Sequence, residues 1–192
     1  MNLPQKLTVL RVILVPVFML FLCVPQGLSD TLVRVIAAVL FALTSLTDML
    51  DGKIARKYNM VTDFGKLMDP LADKFLVFGA MLGILVYCAD LRPIFVWAAA
   101  IVMLRELAVT SLRLLAASQS GAVIAAAWLG KVKTVTQVVC ILCVILEPVI
   151  LPFPLFTQYH LLSYVTIAAM IVMTIWSGVE YFTAYGKNIN MK

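Results

Sequence analysis

Six apolar stretches dominate this chain, at roughly residues 4–24, 31–56, 66–88, 93–116, 129–147 and 159–183. Each is close to the ~20 residues an α-helix needs to cross the hydrocarbon of a bilayer. The intervening segments are too short to hold a soluble domain. The sequence therefore predicts an all-α integral membrane bundle of six transmembrane helices, with residues 1–192 forming one membrane-embedded domain. Strands are not expected, because no long alternating runs occur and unpaired sheet edges cannot sit in lipid. Hydrophobic residues make up 63% of the chain, against about 45–50% in soluble domains, which agrees with the membrane reading.

The net charge of +5 is informative through its distribution. Lys6 and Arg11 lie near the start; Lys53, Arg56, Lys57, Lys66 and Lys74 surround the junction of spans two and three; Arg113, Lys131 and Lys133 surround that of spans four and five; Lys187 and Lys192 close the chain. Only Arg34 and Arg92 fall towards the other side. By the positive-inside rule, both termini face the cytoplasm. A nucleic-acid partner is not implied. The basic start before an apolar run resembles a secretion signal, but residues 22–26 offer no small-residue cleavage site, so the first span is expected to remain. Asn2 is placed to cap a helix with Pro4 in its first turn, and the opening residues are expected to form a short N-terminal interfacial helix.

Breakers mark the turns. Pro25, Gly27, Ser29 and Asp30 separate spans one and two, with Asp30 placed to cap the second; Asp90 and Pro93 flank a tight turn; Pro148, Pro152 and Pro154 are expected to break the chain before span six. Cys140 and Cys143 have redox-motif spacing, but like Cys23 and Cys88 they lie in apolar sequence and read as small packing residues. Trp97, Trp128, Tyr159, Tyr164 and Tyr185 near span ends suit an interfacial belt, and His160, the sole histidine, reads as a surface residue.

Against this apolar background, four aspartates stand out. The first segment reads Asp48-x-x-Asp51-Gly52-x-x-Ala55-Arg56; eight residues later comes Gly65-x-x-x-Asp69-x-x-x-Asp73. Acids at membrane depth need a partner, a cavity or an ion. Asp48 and Asp51, three apart, share a helical face with Gly52 and Ala55, where the small residues leave room for a flat group; Arg56 lies one turn on, within reach of a phosphate. Gly65, Asp69 and Asp73 share another face, with Pro70 marking a helix start or kink. Two antiparallel helices joined by a short loop would bring these faces together. All-oxygen ligation suits Mg²⁺ or Mn²⁺ better than zinc. Paired divalent ions assist displacement at phosphorus, with a carboxylate free to act as base.

The complete pattern resembles the signature of the CDP-alcohol phosphotransferase family, with all eight fixed positions filled. Beyond it, Asn2, Pro4, Leu7, Thr8 and Arg11, the run from Asp63 to Lys74, Arg105 and Glu106 with Val109 to Arg113, and Gly130 to Thr134 with Gln137 are similar to the family's bacterial phosphatidylglycerophosphate synthase branch. Gln5 and Ser111 depart from the branch at a helix start and a packing position.

This resemblance implies transfer of a phosphatidyl group from CDP-diacylglycerol to an alcohol, with release of CMP. The branch implies sn-glycerol 3-phosphate as that alcohol. It implies that Asp48, Asp51, Asp69 and Asp73 hold metal, two ions in all. CDP-diacylglycerol would be bound by Asp48, Asp51, Gly52, Ala55, Arg56, Gly65 and Asp69, with Asp73 as general base. The acceptor is a dianion, for which Arg105, Arg113, Lys131 and Lys133 are candidate partners. Adjacent helix residues do not face each other, so a simple Arg105–Glu106 pair is not expected. For Lys131 and Lys133 the bland alternative is contact with lipid headgroups. The lipid must enter sideways from the bilayer into a cavity open to lipid and water, and a homodimer is implied. The rival readings are the same chemistry with inositol phosphate, serine or phosphatidylglycerol as acceptor, or a divalent cation transporter.

Overall fold

The computed structural model describes residues 3–24, 27–57, 63–120 and 128–185; within them, the side chains of 3–5, 49–57, 63–64, 66–67, 115–120, 154–155 and 185 lie outside the description. Six long helices, each apolar and long enough to cross a membrane, make up nearly all of it: α1 (Leu3–Cys23), α2 (Asp30–Lys57), α3 (Asp63–Tyr87), α4 (Arg92–Ser120), α5 (Trp128–Ile150) and α7 (Leu161–Tyr185), with the single turn α6 (Pro154–Thr157) before the last. The chain is a multi-pass membrane protein. Where a separate interfacial helix is expected, α1 instead runs unbroken from Leu3, carrying Pro16 within it. The capping role of Asn2 lies outside the described residues.

The first helix shows how the bundle is assembled. Its buried residues are Thr8, Arg11, Val15, Phe18 and Leu22, spaced alternately three and four apart. That spacing is the seam of a helix packed against neighbours along its length. Alternate members of the seam meet different partners. Val15 and Leu22 face Gly79 and Gly83 of α3, where an added Cβ would come within 2.7 and 2.9 Å of them. Phe18 meets Phe41 of α2, ring centroids 5.8 Å apart. Small residues allow such close approach, which matters in a bilayer, where packing replaces the hydrophobic effect as the drive for association. α1 thus packs along both α2 and α3, which among the described residues touch each other only slightly. Elsewhere α5 packs on α7 and α2, and α4 on α7 and α3. The core between them is aliphatic and aromatic, with Met81, Ile84, Phe95, Ile141, Ile145, Ile167 and Met170 fully enclosed.

Several local expectations change. Ser29, rather than Asp30, caps α2: its Oγ accepts from the Leu32 N–H at 3.4 Å. Asp30 instead pairs with Arg34 at 2.7 Å and accepts from the Tyr87 hydroxyl, while Arg34 lies 5.0 Å over the Tyr87 ring. Pro148 lies inside α5, which runs on to Ile150 before the chain breaks; Pro70 lies inside α3. His160 is only partly exposed, at 15%, and lies 3.7 Å from the exposed Asp90, with a left-handed φ of 47° at the entry to α7. Arg92 closes α3 by donating to the carbonyls of Leu85 and Val86 at 2.8 and 3.2 Å.

Glu147 is fully buried in α5, yet it has a complete set of partners. Its carboxylate accepts from the backbone N–H groups of Leu162 and Ser163, at 2.8 and 2.9 Å, and from the Ser163 hydroxyl. An acid of one helix thereby caps the first turn of another, where the orphan N–H groups and the helix dipole both favour negative charge.

Candidate active site

The described acids of the motif gather at one end of α2 and α3. Asp48 lies near the end of α2; Asp69 and Asp73 are one turn apart on α3. Residues of α1 touch both acidic faces. Its Arg11, with no exposed surface, sits 2.7 Å from Asp48 Oδ1, and its Thr8 hydroxyl donates to Asp69 Oδ1 at 2.7 Å. Asp73 is partly buried and, among the described residues, makes no hydrogen bond or ion pair with a protein group; Lys74 and Lys133 lie within its electrostatic reach.

α2 stays helical to Lys57, which carries Asp51, Gly52, Ala55 and Arg56 on the same helix as Asp48, but their side chains lie outside the described residues. So do those of Lys53, Lys57 and Lys66. Gly65 falls in the first turn of α3. Among the described residues no three of His, Cys, Asp and Glu approach closely enough to hold a metal; Asp51 is not part of that set. The donors present at this end are carboxylate oxygens, unaccompanied by histidine or thiolate, which is the chemistry a hard divalent cation requires.

The basic candidates separate into two kinds. Arg105, Arg113 and Lys133 are held in place. Arg105 donates from Nη2 to Ser177 Oγ at 2.6 Å, and its Nε is buried without a partner. Arg113 donates from Nε to the Tyr181 hydroxyl at 2.8 Å, its guanidinium 5.0 Å over that ring. Lys133 is buried and ion-paired with Glu106, so the headgroup reading does not apply to it. Charges on Arg105, Asp73 and Lys74 all act on Lys133, and that on Arg113 acts on Arg105. These residues therefore border one region with Asp73. Lys131, two positions from Lys133 and on another face of α5, is exposed. The expected separation of Arg105 and Glu106 is not complete: Nη1 lies 3.5 Å from Glu106 Oε1, although each has a closer partner.

Sequence reading missed the residues that hold these cations. Ser177 and Tyr181 look unremarkable in an apolar span. Glu106 did carry a signal: an acid in one span and a lysine in the next each need a counter-charge at membrane depth. Between α4 and α7 an open-sided groove of about 450 Å³ has Arg105 in its wall and is otherwise mostly apolar, lined by Ile101, Leu104, Ala108, Ile175 and Phe182 among others.

The model of the CDP-alcohol phosphatidyltransferase family matches residues 1–176. A CDP-diacylglycerol–glycerol-3-phosphate 3-phosphatidyltransferase of Bacillus subtilis (strain 168) is 39% identical over 192 residues, covering 95% of this chain and 94% of the relative. A probable phosphatidylglycerophosphate synthase of Mycobacterium tuberculosis H37Rv is 40% identical over 180 residues, covering 94% of this chain and 79% of the relative. The Escherichia coli K12 protein with the same name as the Bacillus one is 34% identical over 187 residues, with 95% and 94% covered.

Proposed function

Because this chain belongs to the CDP-alcohol phosphatidyltransferase family, we propose that it moves the phosphatidyl group of CDP-diacylglycerol to sn-glycerol 3-phosphate, giving phosphatidylglycerophosphate and CMP. The observation that carries this reading is the near-full-length similarity to relatives bearing that enzyme name. The complete eight-residue motif supports it.

Members of this family generally depend on a divalent cation. Asp48, Asp51, Asp69 and Asp73 would hold it, with Mg²⁺ or Mn²⁺, as a pair, suited to their oxygens. A bound cation supplies neutralisation of the diphosphate and of the departing phosphate oxygen. Gly52 and Ala55 leave space for the cytidine, and Arg56 pairs with the diphosphate. Arg105, Arg113 and Lys133 receive the phosphate of the acceptor; Lys131, exposed on another face, is the weakest of the four candidates. Asp73 takes the proton from the acceptor's free primary hydroxyl. That oxygen then bonds to the phosphorus bearing the diacylglycerol, and the bond from this phosphorus to the bridging oxygen breaks. The oxygen leaves with CMP. The absence of a hydrogen-bonding partner on Asp73 among the described residues suits a group that must receive a proton.

Residues 1–192 act as one membrane-embedded unit, with both termini and the acids on the cytoplasmic side of the cell membrane, as the basic residues favour. A homodimer is the proposed assembly. The test is CMP release by purified protein in lipid nanodiscs containing CDP-diacylglycerol, with Mg²⁺ or Mn²⁺ and one acceptor at a time. Release with glycerol 3-phosphate supports the assignment. Release only with serine, inositol phosphate or phosphatidylglycerol reassigns the acceptor. Ion flux without CMP release would favour a transporter.

A further inference from the structure

Two polar residues of the α1 seam are not used by the chemistry above. The seam is Thr8, Arg11, Val15, Phe18 and Leu22, and in its outer three-fifths it is wholly apolar. At the acid-bearing end it changes character: Arg11 has no exposed surface and Thr8 is 2% exposed. A guanidinium enclosed within a membrane bundle is costly unless paired. Each residue reaches a different helix. Arg11 meets Asp48 of α2, and Thr8 meets Asp69 of α3, both at 2.7 Å and both through Oδ1.

The rest of the seam fixes where these contacts fall. Val15 against Gly79 and Leu22 against Gly83 set the height of α1 on α3. Phe18 against Phe41 sets it on α2. Among the described residues α2 and α3 make few contacts with each other, and α1 touches both acids, so the spacing between Asp48 and Asp69 is coupled to α1.

We propose that Thr8 and Arg11 are positioning residues for the cation site: each holds one carboxylate oxygen of an acid on a neighbouring helix, so that α1 sets the separation and orientation of the ligands contributed by α2 and α3. This rests on the reading that Asp48 and Asp69 hold the divalent cation. Partners that orient a ligating carboxylate through hydrogen bonds typically change metal affinity about 10- to 100-fold when removed. Thr8 acts without charge, so its effect is one of orientation alone. Arg11 carries a charge that also repels a cation; a lysine in its place keeps that charge and loses the planar fork, which isolates geometry from repulsion.

The experiment is a Mn²⁺ titration of purified protein in detergent, with free Mn²⁺ read by electron paramagnetic resonance and no lipid substrate present. Metal-free thermal midpoints are taken alongside. Thr8→Val, nearly the same shape, is expected to raise the Kd for Mn²⁺ about 10-fold with the metal-free midpoint unchanged, and Thr8→Ser to bring it back within about twofold of wild type. Arg11→Lys is expected to raise the Kd by a similar factor. Asp48→Asn and Asp69→Asn report on the underlying reading. If they weaken Mn²⁺ binding while Thr8→Val and Arg11→Lys bind as wild type does, the positioning role is wrong and the metal site stands. If the two asparagine variants also bind Mn²⁺ unchanged, the metal site itself is misassigned and the positioning role falls with it.

Discussion

Adding one methyl group at Gly79 should separate α1 from α3, and Gly130 provides the control. In a helix interior, alanine is favoured over glycine by about 0.8–1.0 kcal/mol. At Gly130 a new Cβ meets nothing within 4 Å, so Gly130→Ala should gain about 0.5–1 kcal/mol. At Gly79 the same Cβ would lie 2.7 Å from Val15 Cγ1 and 3.2 Å from Met19 Sδ. Carbon atoms prefer about 3.5–4.0 Å, so roughly 1 Å of movement is needed. Met19 can bend away. Val15 is fully buried, and a β-branched side chain in a helix has essentially one rotamer, so α1 itself must shift. Overpacking of this kind costs about 1–3 kcal/mol, which outweighs the propensity gain. The propensity gain is common to both variants, so they should differ by about 1–3 kcal/mol, with Gly79→Ala the less stable. For a chain of this length each kcal/mol is worth about 2–4 °C in thermal midpoint. Thermal unfolding in detergent, followed by tryptophan fluorescence, measures the gap. Gly79→Ala should also lower CMP release, because Thr8 and Arg11 ride on the displaced helix. If Gly79→Ala stabilises as much as Gly130→Ala, the tight α1–α3 contact does not exist.

Three further outcomes follow from the same structure. Glu147→Ala strands two buried backbone N–H groups and should destabilise the protein by about 2–5 kcal/mol in the same unfolding assay, with Mn²⁺ affinity unchanged because the acid lies at the other end of α5 from Lys133. Asp73→Asn should reduce CMP release about 10²- to 10⁴-fold while moving the thermal midpoint little, since no described group hydrogen-bonds to or ion-pairs with Asp73; retention of more than a tenth of the activity would remove it as the base. Ser177→Ala withdraws the oxygen that orients Arg105 and should raise KM for glycerol 3-phosphate several-fold with KM for CDP-diacylglycerol less affected; an unchanged KM for glycerol 3-phosphate would mean that Arg105 is not at the acceptor site.

The spans were legible because each is a local property, a run of apolar residues of sufficient length. The two segments carrying the aspartates were legible for a similar reason: residues three or four apart on a helix share a face whatever surrounds them. What sequence could not reveal was which neighbour a face meets. Asp48 finds Arg11, and Asp69 finds Thr8 across 61 positions; neither partner is implied by spacing within a helix. Pro148 reads locally as a breaker, yet α5 continues through it. The carboxylate of Glu147 is satisfied by α7 rather than by its own helix, so no local pattern could foretell it. Thr8 and Arg11 were visible as part of a family likeness, and the three-and-four spacing of the seam was there to be read, but only contact with both neighbours gives it meaning.

The placement of α1 against both α2 and α3 has a consequence for how the protein is made. Chains emerge from the ribosome amino end first, at about 5–20 residues per second. Arg11 is therefore synthesised before Asp48 exists, and must wait at the membrane surface with its long stem in lipid and its head in water. Only when the second span arrives can the guanidinium sink to its final depth. Grafting the acid-bearing pair α2 and α3 into a foreign bundle would accordingly fail to recreate the placement of Asp48 and Asp69 unless their first companion travelled with them.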